Sequence, residues 1–220
     1  QDTQGMTVEP PSQELTESNA AQWRAHASDN ADSGLSDDTN RVKTGRASSK
    51  LSTKSGYDVE MKYPATRNAN WDISDVDYIG VWFFAQNPNL GFQNNSPWIR
   101  LSTTSGYIEY QADGEVLNAA NGTWRYFRIP LSGDTTWRRS QVGTVSLARI
   151  DWIEIHTDTW DTGFTLWVDG LEFCRNQWQI SPMFQPVIGA EYPLFVKEEL
   201  QDGNTASAEN VRWEVTPTGL

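Results

Sequence analysis

The sequence predicts an all-β protein folded as a β-sandwich of the jelly-roll type, and three features lead to this prediction. Apolar and polar residues alternate in short runs, as in strands that bury one face. Clusters of Gly, Asn, Asp and Ser separate these runs, and no stretch combines a helical period with helix caps. Eleven tryptophans in a chain of 220 residues lie mostly within the alternating runs. Many short strands of this kind are typical of a sandwich.

The alternation places the predicted strands in order along the chain. They lie near residues 21–27, 41–54, 57–63, 78–87, 97–102, 107–111, 123–131, 149–157 and 163–174. In the third of these, Val59 and Met61 share one face and are predicted to point into the core. The stretch 79–85 has no polar face, which predicts a central strand covered on both sides.

Three regions differ in composition. Residues 1–20 carry a Pro pair and no period, which indicates a linker or an extended arm. Residues 21–175 hold the predicted sandwich. In residues 176–220, the runs 192–196 and 211–215 alternate again around an Asp-Gly-Asn turn. Because these few strands cannot complete a second sandwich, we expect a partial domain there.

Composition excludes several kinds of partner. The net charge of −12 argues against nucleic acid, because phosphates attract a basic surface. No apolar run reaches the roughly 18 residues of a membrane helix, so we expect no membrane insertion. Cys174 is the single cysteine, which leaves no internal disulfide. We interpret the chain, which begins at Gln1, as a mature or excised piece of a secreted or cell-surface protein.

Four segments carry a family resemblance in the correct order: 45–51, 73–82, 124–131 and 164–173. Together they resemble strands of the jelly-roll, galactose-binding-like carbohydrate-binding modules of bacterial surface and polysaccharide-degrading proteins. Residues 181–215 resemble the opening strands of a bacterial immunoglobulin-like domain. The resemblance implies an extracellular modular protein that binds a polysaccharide without catalysis. Fold alone does not establish function, because many activities share this sandwich.

The resemblance also implies a structural calcium ion. In such modules the metal ties an early loop to the Asp of the closing strand, which here is Asp169. The early loop corresponds to the acidic stretch 29–38, from which Asp38 is the expected ligand. Calcium takes six to eight oxygen ligands, which a carboxylate-rich loop supplies. The alternative is that 29–38 is a solvated acidic loop and that Asp169 only forms a turn with Gly170.

Aromatic and polar side chains on the outward strand faces are the candidate ligand-binding residues. Flat rings suit sugar rings, and Arg, Glu and His hydrogen-bond hydroxyl groups. Loop aromatics are a further candidate platform, and outward Trp and Arg stacked on each other are the alternative to ligand binding. The candidates are Trp82, Arg100, Tyr107, Tyr126, Arg128, Trp137, Glu154, His156 and Trp160.

Two other functions remain open. His156 with Tyr107 or Tyr110 is similar to the His/Tyr pair of jelly-roll lyases. The other lyase motifs are missing, so we expect no enzyme activity. A structural domain of a filament, adhesin or surface layer is the second alternative. There, residues 1–20 and 177–220 would mediate self-association by strand addition.

Overall fold

The computed structural model describes residues 15, 20–26, 33–56, 59–86, 96–157 and 159–175, together with three outlying strands. Within these ranges the chain is built from β-strands, with one short helix, α1 (Gly114–Leu117). The strands are β1 (Met6–Val8), β2 (Arg24–His26), β3 (Ser33–Asp38), β4 (Ser48–Gly56), β5 (Glu60–Tyr63), β6 (Tyr78–Gln86), β7 (Trp98–Thr103), β8 (Gly106–Gln111), β9 (Arg125–Pro130), β10 (Arg138–Gly143), β11 (Trp152–His156), β12 (Thr159–Cys174), β13 (Leu194–Glu199) and β14 (Thr205–Ser207).

Two antiparallel sheets form a β-sandwich, which confirms the predicted fold class. Sheet B has five strands in the order β3-β4-β12-β6-β9, and sheet C has six in the order β10-β8-β7-β11-β5-β2. A separate three-stranded sheet A has the order β1-β13-β14, in which β1 runs parallel to β13. The early and late strands of the chain therefore pair with each other.

The core lies between sheets B and C, and strand alternation builds it. Ile153 and Ile155 of β11 and Ile99 of β7 are fully buried on the inner face of sheet C. Phe83 of β6 and Leu166 of β12 are buried against them from sheet B. The prediction for residues 79–85 is confirmed, since β6 lies between β12 and β9 and is buried along nearly its whole length.

The sequence-predicted boundaries were wrong in two places. Of the acidic stretch 29–38, expected in a loop, residues 33–38 form the edge strand β3 and 29–32 lie outside the described residues. Residues 41–47 form an irregular, bent segment rather than the start of a strand. Strand β10 was not predicted at all. All six of its residues are exposed, so its sequence has no apolar alternation to detect.

Trp137 corrects a further expectation. It lies just before β10, as predicted for a loop, but its side chain is only 2% exposed and belongs to the core. Its ring packs edge-on against Phe127 at 5.7 Å between centroids. The carboxylate of Asp134 accepts its backbone N–H at 2.6 Å and fixes the turn. Trp137 is therefore a core residue and offers no open platform to a ligand.

The predicted partial immunoglobulin-like domain stays a prediction. Residues 194–199 form β13, inside the expected segment, whereas 211–215 lie outside the described residues. Within the described part of the chain, no helix is long and apolar enough to cross a membrane.

Replacing Trp137 by Ala should strongly destabilise the protein. Removing a buried Trp side chain from a core costs about 3–5 kcal/mol through lost burial and the cavity left behind. The matched control is Val142→Ala, because Val142 is 53% exposed and a surface change of this kind shifts stability by about 0.5 kcal/mol or less. Urea unfolding monitored by fluorescence measures both. Equal midpoints for the two variants would contradict the core position of Trp137.

Candidate functional site

The outward residues fall into two groups, one on each sheet. Alternation along a single strand separates inward from outward residues, but strand pairing decides which outward residues become neighbours. Sheet B carries Trp82, Tyr126 and Arg128 on its outward face, and sheet C carries Arg100, Tyr107, Glu154 and His156. The side chain of Trp160, in β12, lies outside the described residues.

Positive side chains cover the outward face of sheet B. The Arg41 guanidinium lies 4.1 Å from the ring centroids of both Phe84 and Trp167, and the Lys43 ammonium lies 4.1 Å from that of Trp82. Cations placed over aromatic faces in this way are attracted by the ring quadrupole. The chain itself therefore covers these three rings.

Trp82 and Tyr126 are consequently not the open platforms that the sequence suggested. Both side chains are buried, and their rings pack on each other at 5.3 Å between centroids. The reason is the close cover from residues 41–44, which local alternation could not reveal. Arg128 does reach the surface, where its guanidinium lies 4.1 Å from the ring centroid of Tyr78.

Sheet C carries a row of charged side chains across four adjacent strands. Strand register aligns Lys62 of β5, Glu154 of β11, Arg100 of β7 and Glu109 of β8 in one line. The Arg100 Nε donates to the Glu109 carboxylate at 2.8 Å, and a second guanidinium nitrogen lies 3.8 Å from Glu154. Alternating signs let neighbouring side chains stabilise each other.

Aromatic rings lie beside this charged row. The Arg100 guanidinium lies 3.9 Å from the ring centroid of Tyr107 and 4.4 Å from that of Trp98. Tyr107 and Arg100 are both half-buried, so part of each side chain meets solvent. The planar guanidinium and the flat Tyr107 ring together form a surface that combines stacking with directed hydrogen bonds.

A buried cluster of Glu60, Glu154 and His156 lies next to the row. The His156 Nε2 lies 2.7 Å from the Glu154 carboxylate and 3.1 Å from the Glu60 carboxylate. The Lys62 ammonium contacts the other oxygens of the same two carboxylates, at 2.7 Å for Glu60 and 3.4 Å for Glu154. The His156 ring stacks on Trp98 with 3.8 Å between centroids and is fully buried.

The carboxyl group of Glu154 is held in its charged form. Burial by itself raises its pKa, but the hydrogen bond and charge of His156, the Trp152 indole N–H at 2.6 Å and the charge of Lys62 outweigh that effect. The net result lowers the pKa of Glu154 from its usual 4.5 to about 2.

Three polar atoms buried on this same face lack a hydrogen-bond partner among the described residues. They are the Trp98 Nε1, the Ser102 Oγ and the His156 Nδ1. A buried polar group without a partner costs about 1–3 kcal/mol. Such groups are uncommon in folded proteins.

The donor atoms of Glu60, Glu154 and His156 lie within 4.8 Å of one another, so this group could hold a metal ion. Its nitrogen donor suits a transition metal better than calcium, which prefers an all-oxygen set. Asp38 and Asp169, the expected calcium ligands, belong to no comparable group among the described residues.

The two expected calcium ligands do not fit that ion. Asp169 is 3% exposed and accepts hydrogen bonds from the backbone N–H groups of Lys43, Thr44 and Gly170. Asp38 accepts the Trp167 indole N–H at 2.8 Å and two backbone N–H groups. N–H donors therefore surround both carboxylates, whereas calcium requires oxygen neighbours.

Tyr110, one of the two tyrosines expected to pair with His156, is not placed to do so. Tyr110 is fully buried in the core and donates its hydroxyl to the Leu131 carbonyl at 2.8 Å, on the opposite side of sheet C from His156. Burial raises the pKa of Tyr110 to about 12. The His156 Nε2 is already held between two carboxylates, so it is not free to abstract a proton from a substrate.

Sequence reasoning missed Glu60, Lys62 and Glu109 as members of this face. A signal for the first two was present, because Glu60 and Lys62 alternate with Val59 and Met61, which were predicted to face the core. Glu109 likewise alternates with the buried Ile108 and Tyr110.

Known structures share this fold. No protein-family model matches the sequence, and no curated protein matches it. The family 11 carbohydrate-binding module of the cellulosomal cellulase Lic26A-Cel5E of Clostridium thermocellum aligns with a TM-score of 0.54 and 15% identity. That alignment covers 79% of this chain and 99% of the module. The family 11 module from Clostridium thermocellum in complex with a β-1,3-1,4-mixed-linked tetrasaccharide aligns with a TM-score of 0.51 and 17% identity, over 78% and 98% of the two chains.

Acid should remove the stability that the Glu154 cluster provides. A carboxyl whose pKa is lowered on folding stabilises the folded state fully above its unfolded pKa, and that contribution is lost as pH falls through the folded value. For Glu154 this window runs from 4.5 down to about 2. The difference in unfolding free energy between the wild type and Glu154→Gln should therefore shrink across it. Denaturant unfolding at a series of pH values measures this, and a constant difference would contradict the assignment.

Proposed function

We propose that this protein binds a polysaccharide without cleaving it, through the outward face of sheet C, as a module of an extracellular bacterial protein. The observation that carries the proposal is the row formed by Lys62, Glu154, Arg100 and Glu109 beside the half-buried Tyr107 ring. On sheet B, Lys43 lies over a buried Trp82, whereas Tyr107 on sheet C is only half-buried.

The chemistry of this face suits a sugar. Hydroxyl groups both donate and accept hydrogen bonds, and the row offers Arg and Lys donors beside Glu acceptors. The apolar face of a sugar ring can pack against Tyr107, as apolar surfaces do on aromatic rings. The Glu109 carboxylate holds Arg100 at 2.8 Å, so little side-chain entropy is lost when a ligand binds there.

The likeness to known modules supports the same proposal. Two solved structures of family 11 carbohydrate-binding modules share the fold over nearly their whole length, and one of these structures is described as a complex with a tetrasaccharide. One of these modules belongs to a cellulosomal cellulase, which supports the proposal that this chain comes from a secreted or surface-attached protein. The proposal includes no calcium at Asp38 and Asp169, because N–H donors surround both carboxylates.

Binding should depend on sheet C and not on sheet B. We expect Tyr107→Ala and Arg100→Ala each to weaken glycan binding about tenfold or more, which corresponds to ~1.4 kcal/mol. Arg100→Lys should not restore it, because a Lys ammonium lacks the planar, forked donors of Arg. The control Arg128→Ala removes an exposed Arg over Tyr78 on sheet B and should bind like the wild type.

Affinity electrophoresis against neutral, sulfated and uronic-acid polysaccharides finds the ligand, and calorimetric titration measures the variants. Thermal melts confirm that each variant is folded. Equal loss in Arg128→Ala and Arg100→Ala would contradict the placement on sheet C. No retardation by any polysaccharide would contradict the proposed function itself.

A structural role through strand addition is the second candidate, and one observation favours it. Strand β10 is an edge strand of sheet C with every residue exposed, including Val142. Exposed edges are templates for pairing with another chain, here a second copy. If this role holds, sedimentation velocity will show growth with concentration and Val142→Lys will restore the monomer. A monomer at every concentration contradicts it.

A further inference from the structure

The segment that joins β3 to β4 crosses the outward face of sheet B, and we call residues 38–47 the strap. It begins with Asp38 and contains Arg41, Lys43 and Thr44. Asp169 follows Val168 in the neighbouring strand β12, and its carboxylate accepts a hydrogen bond from the strap. The strap thus contacts both carboxylates that the family resemblance assigns to calcium.

Hydrogen bonds from the strap and from Gly170 occupy the Asp169 carboxylate. One oxygen accepts the Lys43 N–H at 2.7 Å and the Thr44 N–H at 3.0 Å. The other accepts the Gly170 N–H at 2.9 Å and the Thr44 hydroxyl at 3.2 Å. An ionised carboxylate has about four lone-pair sites. These donors use all of them.

The Asp38 carboxylate accepts three hydrogen bonds. One oxygen accepts the N–H groups of Asn40 at 2.8 Å and Arg41 at 3.1 Å, and the other accepts the Trp167 indole N–H at 2.8 Å. The Trp167 hydrogen bond is the main reason that the pKa of Asp38 lies below its ordinary value. Asp38 thereby links the start of the strap to an aromatic side chain of β12.

The surroundings of both carboxylates have the wrong polarity for a metal cation. Calcium needs oxygen atoms pointing toward it, whereas the strap points N–H groups at Asp38 and Asp169. Packing is also tight there. Gly170 has φ of +56°, and an added Cβ would lie 2.9 Å from the Trp82 ring.

Positive charge is already present on this face. The Arg41 guanidinium lies over Phe84 and Trp167, and the Lys43 ammonium lies over Trp82. Both cations come from the strap that Asp38 and Asp169 hold by its backbone. The carboxylates, the backbone amides and the two cations together connect the strap to β12, which is the connection that a calcium ion would otherwise make.

We propose that the strap is a metal-free lock: Asp38 and Asp169 fasten it through N–H donors, Arg41 and Lys43 seat it on the aromatic rings, and neither carboxylate binds calcium. In this respect the chain departs from the calcium site that its family resemblance implies. The lock is independent of the glycan-binding proposal, because it lies on the other sheet.

Thermal melts of the full chain in excess EGTA and in millimolar calcium test the lock. An ion that binds only the folded state must raise the midpoint. We expect the wild type to melt at the same temperature in both buffers. Asp169→Asn and Asp38→Asn should melt at lower temperatures, by equal amounts with and without calcium. Asp72→Asn is the matched control, because Asp72 is exposed and caps only the local Ser74.

Calcium titration calorimetry of the wild type and Asp38→Asn gives a second readout if Asp169→Asn does not fold. Saturable heat or a midpoint rise that disappears in either Asp variant would overturn the proposal. A calcium response that persists unchanged in Asp38→Asn and Asp169→Asn places the ion elsewhere and supports the lock. No response in any form of the protein supports it as well.

Discussion

Burial of the inner faces of sheets B and C is the constraint on which the rest of the structure depends. Because residues alternate along a strand, burying Ile153 and Ile155 of β11 fixes Glu154 and His156 on the opposite face. The same rule places Arg100 outward between the buried Ile99 and Leu101. Apolar packing thus positions the polar residues of the candidate site on central strands, where rigidity favours a preformed binding surface.

The aromatic side chains on the two outward faces have different surroundings. On sheet B the strap lays its own cations over Trp82, Phe84 and Trp167, so the rings are satisfied within the chain. On sheet C the aromatic and charged side chains are organised among themselves but retain unpartnered polar atoms. The half-buried Arg100 and Tyr107 of sheet C keep contact with solvent, which is why we propose the glycan site on that sheet.

Local pattern was enough for the fold class and for most inward and outward assignments. The sequence prediction failed for strands without apolar alternation and for side chains whose burial depends on residues far away in the sequence. Strand β10 has no apolar face, and β3 is a short acidic strand in which Leu35 is the one apolar residue. Trp137 is buried by Phe127 from another strand, and Trp82 is covered by Lys43 from a loop. Such contacts join residues far apart in sequence, and strand parity carries no information about them.

The central claim is that a polysaccharide binds the outward face of sheet C. Titration of the ¹⁵N-labelled protein with an oligosaccharide of the class retained in affinity electrophoresis tests it most directly. The account predicts that amide signals of β7, β8 and β11 and the indole signal of Trp98 shift on binding, while the indole signals of Trp82 and Trp167 under the strap do not. Shifts confined to Trp82, Trp167 and the strap would contradict it.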